Sequence, residues 1–553
     1  MTTTTPDAAR YAELRSSVAG MLTVPVRFNF VTDTFEKWSS DRLCMRWIDD
    51  SGGDRKISWK EMSDGANRVA NVFRASGVKK GDRVFIQVGR LPEWWETMLA
   101  CLKMGAIAMP GTVMLTPKDI AYRMELSEPV AVVTEASIAP RFAAARGKSS
   151  SVKAYLSIGG PPDGWLDLRA ERDRAPAEAQ AEPTLATDPA ILYFTSGTTG
   201  FAKMVLHTQA SYGIGHVTTA RYWLDLAPED LHWNISDTGW AKAAWSSFFS
   251  PFIAGAAQLV HNPTGAFSGK RVLDILAQYP ITSMCGPPTI FRAVVLEDLR
   301  RWTFPSLRSC VAAGEPLNPE VIATWKAATG LEIRDGYGQT ETCCLVGNYK
   351  GLTVKPGSMG KPSPGYDIAI IGDDAKPVVA GKEGDIGVRI TPARPVGLFR
   401  EYWKNDQANR SSVRGDYYIT GDRGVMDEDG YVWFVGRADD VILSAGYRIG
   451  PFEVESALLE HASVAESAVV SSPDGIRGEI VKAFVVLKSG VTASDALAAE
   501  LQEHCKKVTA PYKYPRKIDF VTALPKTVSG KIRRIELRNR EWGRPIPASN
   551  ERE

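Results

Sequence analysis

Residues 195–200 read Thr-Ser-Gly-Thr-Thr-Gly, and Lys203 follows three positions later. Small residues in a row expose backbone N–H groups and hydroxyls, with no bulky side chain to hold a phosphate away. Gly197 and Gly200 let the main chain turn tightly and approach an anion. Thr195, Ser196, Thr198 and Thr199 add hydroxyls, and Lys203 adds one mobile positive charge. The apolar runs Ala190-Ile-Leu-Tyr-Phe194 and Met204-Val-Leu206 on either side are of strand type. A plain hairpin turn is the competing reading, because Ser, Thr and Gly fill turns generally. The nucleotide P-loop G-x-x-x-x-G-K-[ST] does not fit. The glycines are too close, no lysine follows Gly200 directly, and Met204 stands where a Mg2+-holding hydroxyl is needed.

A second stretch is Asp335-Gly336-Tyr337-Gly338-Gln339-Thr340-Glu341-Thr342. Tyr337 offers a flat ring for a base, Thr340 a hydroxyl donor for a phosphate, and Glu341 a hard oxygen for Mg2+. A polar loop without ligand is the alternative. Asp422, at the end of Tyr417-Tyr-Ile-Thr-Gly-Asp422, is placed to bind a ribose hydroxyl pair or to stabilise a turn. Near the end of the chain, Leu524-Pro-Lys-Thr-Val-Ser-Gly-Lys531 is a Pro/Gly-framed loop presenting Lys531. The basic run after it reads on charge alone as a solvated face.

These residues need a scaffold. At 553 residues the chain exceeds one ordinary core, so at least two domains are expected. Hydrophobic content of 44% and charged content of 24% are those of a globular protein, and a net charge of +2 leaves no global field for nucleic acid or a membrane. No apolar run approaches the ~18–20 residues needed to span a bilayer, and the first residues lack the form of a signal peptide. Seven scattered cysteines and six histidines show neither disulfide nor metal-ligand spacing, which together predict a reducing, cytoplasmic setting with Mg2+ brought in by a nucleotide.

Strand-type runs at 82–88, 130–134, 281–285 and 309–313 alternate with helical patterns at 92–104, 270–279 and 287–301. That alternation predicts largely parallel, doubly wound sheets, with ligands at strand C-terminal ends, where Thr195 and Gly314 would sit. Trp94 and Trp95 read as helix-to-sheet packing rather than as a ligand box. The aromatic density from His232 to Phe252, including Trp240, suits either core or an apolar pocket wall. Short alternating strands between 367 and 390 predict a β-rich subdomain. Gly436-Arg-Ala-Asp-Asp440 reads as a boundary, followed by a compact α+β unit with a helix from Pro451, strands at 464–470, 481–487 and 518–521, and helices at 495–508 and 532–538.

Five motifs stand in order: TSGTTGFAK, DGYGQTET, YYITGDRG, GRADDVILSAGYRIGP and LPKTVSGKIRR. Together they resemble the adenylate-forming (AMP-binding) superfamily. SDTGWAKAAWSSFFSP, SAGYRIGPFEVESALLEH and VTAPYKYPRKI carry a closer likeness to medium-chain acyl-CoA synthetases. The resemblance implies a large N-terminal AMP- and acyl-binding domain over residues 1–437, and a small mobile C-terminal domain over 438–553 hinged at Asp439. It implies that a carboxylate and ATP give an acyl-adenylate and pyrophosphate, and that CoA then gives the thioester, with a medium-chain fatty acid as substrate. Alternatives are a short-chain or aromatic acid ligase, and more remotely a non-catalytic nucleotide- or acyl-CoA-binding homologue.

On that resemblance Ser196, Thr198, Thr199 and Lys203 hold the β- and γ-phosphates, in the loop that also contains Thr195, Gly197 and Gly200. Thr340 touches the α-phosphate, and Glu341 carries Mg2+. Tyr337, with Gly314 and Glu315, frames the adenine, and Asp335, Gly336, Gly338 and Gln339 belong to the same ATP/AMP site. Asp422 and Arg437 bind ribose, and Lys531 bridges the carboxylate and α-phosphate. Rotation about Asp439 removes Lys531 and brings in Gly446, past which the pantetheine arm runs. Tyr447, Arg477 and Arg516 are candidate CoA contacts, and Trp240 lines the acyl pocket.

Overall fold

The computed structural model describes residues 6–146, 149–195, 202–444, 447–475, 477–510, 512–526 and 531–545. Three sheets organise them. In the first, Pro189–Thr195, Ile107–Pro110, Arg83–Gln87, Ala131–Glu135, Ala154–Ile158 and Leu166–Asp167 run parallel in that order. Lys203–Thr208 and Glu401–Tyr402 add an antiparallel edge. The parallel strands are covered on both faces, which is why they read as continuous apolar runs. Pro92–Met104 is buried along its whole length, opened by a proline in its first turn and closed by Gly105 at φ +66°. Trp94 and Trp95 on this helix pack edge to face at 4.9 Å inside the core, as packing residues.

The second sheet has a parallel half formed by Leu43–Asp49, Ala257–Asn262, Leu231–Asn234, Ser283–Gly286, Ser309–Ala313 and Ile333–Tyr337. It then turns antiparallel through Val346–Gly347 and Ser358–Pro362 into Val432–Arg437, Tyr417–Met426, Glu383–Arg389 and Ile368–Ile371. The β-rich subdomain expected from sequence is therefore continuous with the second sheet. Ser358–Pro362 joins the halves by pairing on one edge with Val346–Gly347 and on the other with Val432–Arg437.

The third sheet takes all its strands from Ile442 onward: Ile442–Ser444, Tyr447–Ile449, Val464–Asp474, Gly478–Leu487 and Lys517–Phe520. Pro451–Leu459 and Asp495–Val508 bury Val454, Leu458, Leu497 and Leu501 against it. Two expected helices differ. The helix expected at 287–301 is Pro288–Val294 followed by a short 3-10 turn at Leu299–Arg301, and Leu296 between them is left 67% exposed. The basic helix starts at Arg534 rather than Ile532, because Ile532 is held extended by a bridge to Lys526. No helix among the described residues is long and apolar enough to cross a membrane.

Candidate functional site

Strand ends gather the site. Thr195 ends its strand and pairs across to Lys203, the first residue of the next strand. Ser196, Gly197, Thr198, Thr199 and Gly200 lie outside the described residues, as does Gly446. Lys203 Nζ sits 4.9 Å from the centre of the Tyr402 ring, and the Tyr402 hydroxyl donates to Glu341 Oε1 at 2.9 Å. Glu341 is thus linked through one aromatic side chain to the lysine of the loop. Burial pushes its carboxyl above the usual carboxylate range, while the Tyr402 hydroxyl and the charges of Lys203 and Arg437 pull it back. Among the described residues no group of three or more His, Cys, Asp or Glu side chains could hold a metal ion.

The neighbouring backbone is fixed from below. The Thr340 carbonyl accepts from the Tyr212 hydroxyl at 2.6 Å and lies 2.8 Å from His207 Nε2. Burial pushes His207 down to about 3, so the imidazole is neutral. The Trp245 indole N–H donates to the Tyr212 hydroxyl at 3.1 Å, and Phe399 N–H donates to the Glu341 carbonyl at 2.7 Å. Thr340 and Glu341 are therefore aimed by main-chain bonds from three separate elements. Gly336 and Gly338 are needed here. A Cβ at Gly336 would lie 2.3 Å from the Trp223 indole, and one at Gly338 2.4 Å from both the Trp245 indole and the Cys343 carbonyl.

On the other side, Asp422 Oδ2 accepts from the Tyr337 hydroxyl at 2.6 Å and from Gln339 Nε2 at 2.7 Å. Arg437 is the cross-strand partner of Asp422, and its Nε stands 3.5 Å from Asp439 Oδ1. Burial raises the Asp422 carboxyl, against the charge of Arg437 and the two donors, and the charge of Lys531 acts on it too. Gly314 leaves its strand at φ +108°, with open space where a side chain would project. Next to it, Glu315 Oε2 accepts from Arg292 at 2.9 Å, while Glu315 Oε1 and Gln339 Oε1 are buried acceptors without a partner among the described residues. An adenine amino group supplies the type of donor these acceptors lack. Asp335 faces inward and takes the Gly336 N–H at 2.9 Å, and burial pushes it up to about 8.

The structure thus brings together Thr195, Lys203, Gly314, Glu315, Asp335, Gly336, Tyr337, Gly338, Gln339, Thr340, Glu341, Asp422 and Arg437, with the charge of Lys531 acting on Asp422 and on Lys242. Trp240 is half-buried, and its indole N–H has no partner among the described residues. It follows Gly239, whose Cβ would fall 1.9 Å from Thr112 N. The candidate CoA contacts are engaged within the last unit. Tyr447 stacks on Tyr512 at 4.4 Å, Arg516 donates to the Tyr514 hydroxyl at 2.7 Å, and Arg477 N–H bonds Asp474. Asp439 lies in the turn after Val432–Arg437, its carbonyl gripped by Arg538.

Four participants escaped the sequence reading. Tyr402 carries no motif signal. His207 and Tyr212 looked like ordinary strand and helix residues. Lys242 did carry a signal, being a lysine in an apolar helix. It donates to the Ala313 carbonyl at 2.7 Å, and burial pushes it down to about 8.

Comparison with known proteins gives matches over the same residues. The model of the AMP-binding enzymes matches residues 32–403, and that of the AMP-binding enzyme C-terminal domain matches 453–531. The human acyl-coenzyme A synthetase ACSM3, mitochondrial, is 47% identical over 533 residues, covering 94% of this chain and 91% of that protein. Human ACSM4, mitochondrial, is 48% identical over 531 residues, with the same coverage. The crystal structure of the anthranilate CoA ligase AuaEII with anthranoyl-AMP superposes with a TM-score of 0.87 at 30% identity, covering 94% of this chain and 98% of that one. The expectation of a cytoplasmic setting is overturned by these relatives, both mitochondrial by name. All seven cysteines are free and buried.

Proposed function

The chain belongs to the AMP-binding enzyme family, and on that premise we propose that it joins a medium-chain fatty acid to CoA at the expense of ATP. It is an AMP-forming acyl-CoA synthetase, an acid–thiol ligase. A carboxylate oxygen attacks the α-phosphorus and pyrophosphate leaves. The CoA thiolate then attacks the acyl carbonyl and AMP leaves. The first step gathers anions, so it needs fixed positive charge and oriented donors.

One observation carries the assignment of roles. Residues 337–341 bind Asp422 at one end and Tyr402 at the other, so a single loop spans a ribose-type carboxylate and a phosphate-type lysine. In this reading Lys203 and the loop before it hold the β- and γ-phosphates. Thr340 contacts the α-phosphate, and Lys531 bridges it to the carboxylate. Tyr337, Gly314 and Glu315 frame adenine, and Asp422 with Arg437 holds the ribose. Glu341 offers Mg2+ its second oxygen, the first being taken by Tyr402. One carboxylate suits Mg2+ that keeps waters and phosphate oxygens as its other ligands. Residues to 437 form the nucleotide-binding domain, and those from 438 form a mobile domain hinged at Asp439. Tyr447, Arg477 and Arg516 meet CoA when that domain turns.

The acid lies against the helix that starts at Ala241. The Trp223 and Trp245 indoles, seated on Gly336 and Gly338, give an apolar, rigid wall. The likeness to an anthranilate ligase, together with these indoles, favours aromatic acids as the second reading. The test is AMP and pyrophosphate formation with ATP, Mg2+ and CoA across straight-chain acids from acetate to laurate, with benzoate and anthranilate alongside. Product peaking at intermediate chain length supports the proposal. A peak at acetate or at the aromatic acids replaces the substrate, and no AMP with any acid removes the reading.

A further inference from the structure

The last five-stranded unit meets the nucleotide side of the protein across a cleft, and a row of alternating charge runs through it. On the nucleotide side Arg292 Nη2 donates to Glu315 Oε2 at 2.9 Å. On the other side Arg534 donates to both oxygens of Glu455, Nε to Oε1 at 2.9 Å and Nη2 to Oε2 at 2.6 Å. Glu455 is itself buried and takes the Val469 N–H at 2.8 Å, so it is fixed to the last unit's own sheet. All four side chains line the same cleft, with Asn318 and Ile532. One direct bond crosses it nearby, from Asn318 Nδ2 to Ser456 Oγ at 3.3 Å. Glu315 and Arg534 line this cleft together, and Glu315 Oε1 is a buried acceptor without a hydrogen-bond partner among the described residues.

We propose that Arg534 is a positioning residue for Lys531: clamped by Glu455 and presented to Glu315 across the cleft, it seats the last unit on the nucleotide site and so sets the place of the lysine three residues upstream. A planar, bidentate guanidinium suits this role because one face of the fork is fixed by Glu455 while its positive charge remains directed at Glu315. Glu315 is also the residue after Gly314, at the adenine side of the site, so seating and nucleotide site share one carboxylate. The charges reinforce this picture. Burial opposes the charged Arg534, and Glu455, Asp440 and Glu315 more than offset it. What Lys531 does once seated rests on the adenylation reading above. The seating itself does not.

The test uses the full chain without nucleotide and reads hydrogen exchange by peptide, followed by both half-reactions. Arg534→Gln is expected to raise exchange at least fivefold in the segments on the two sides of the cleft, residues 314–320 and 451–459. Exchange in the strands Val464–Asp474 and Gly478–Leu487 should stay as in the wild type. Acid-dependent pyrophosphate release should fall at least tenfold, thioester formation from supplied acyl-adenylate should stay within twofold, and Arg534→Lys should recover part of the loss. Glu315→Gln leaves the Arg534–Glu455 pair intact, so it tests seating without disturbing the last unit's fold, and it too should loosen both cleft segments. Unchanged exchange at the cleft in both variants would overturn the proposal, as would a rise spread evenly through the last unit. If the wild type released no pyrophosphate with any acid, the adenylation reading would fall while the exchange data still decided the seating.

Discussion

Replacing Tyr402 by Phe isolates one bond in the site. The ring stays under Lys203 Nζ, 4.9 Å away, and only the hydroxyl that donates to Glu341 Oε1 at 2.9 Å is lost. A hydrogen bond to a charged group is worth about 1.5–3 kcal/mol. At about 1.4 kcal/mol per factor of ten, that is about 10- to 100-fold in the balance between carboxylate and carboxylic acid. The sign follows from the surroundings. Burial already raises Glu341, and Tyr402 is the first of the groups that hold it down. Without the hydroxyl, protonation begins at higher pH, and the form able to take Mg2+ is lost sooner as pH falls. ATP–pyrophosphate exchange measured between about pH 5 and 9 should show the acid limb of kcat/KM displaced upward. Rates on that limb should be about 10- to 100-fold lower than wild type, and the two profiles should converge at alkaline pH. Superimposed profiles, or a uniform loss at every pH, would refute the assignment of Glu341 as the group whose ionisation limits the acid side.

Asp335→Asn tests the buried carboxyl. Folding raises its pKa from 3.8 to about 8. The native state therefore holds a proton that the unfolded chain releases, and stability declines as pH rises through that window. Thermal midpoints at about pH 5 and 8.5 should differ less in the variant than in the wild type. Lys531→Ala should slow acyl-adenylate formation on the order of 10²–10³-fold, as for loss of one donor to developing charge. Thioester formation from supplied acyl-adenylate should stay near wild type, and equal loss of both half-reactions would sink the assignment. Gly338→Ala places a Cβ 2.4 Å from the Cys343 carbonyl and from the Trp245 indole. It should cost about 1–3 kcal/mol in denaturant unfolding and shift preference toward shorter acids, and an unchanged acid series would remove Trp245 from the pocket wall.

The elements legible in the sequence are those whose signals are local. Pro92 and Gly105 bracket a helix because proline suits the first turn and glycine the left-handed close. Asp495–Val508 was legible to the residue from its apolar spacing, and the structure adds the Ser494 side chain as its N-terminal cap. The strand ends that carry Thr195 and Gly314 were legible because buried parallel strands are short apolar runs stopped by glycine or hydroxyl residues. The helix through 287–301 was read too long because Leu296 is apolar but exposed, so the helical run stops at Val294. The β-rich subdomain was legible from its short alternating strands, but its joining to the second sheet through Ser358–Pro362 and Val432–Arg437, paired across more than 70 residues, left no trace in either strand alone.

Residue types and spacing by themselves determined the phosphate-type loop, the Tyr337–Glu341 stretch, the isolated Lys531 and the alternation of strand and helix. Each is a property of consecutive residues, and the chemistry of such a stretch travels with it. Only the tertiary structure decided that Tyr402 joins Glu341 to Lys203, that Tyr212 and His207 hold the Thr340 carbonyl, that Trp223 and Trp245 sit on Gly336 and Gly338, and that Arg534 and Glu315 line one cleft. These partners are between 61 and 219 residues apart, as Glu341 and Tyr402 or Glu315 and Arg534 illustrate. A hydrogen bond or a steric contact depends on distances of a few ångströms, and packing sets those distances only once every sheet has closed.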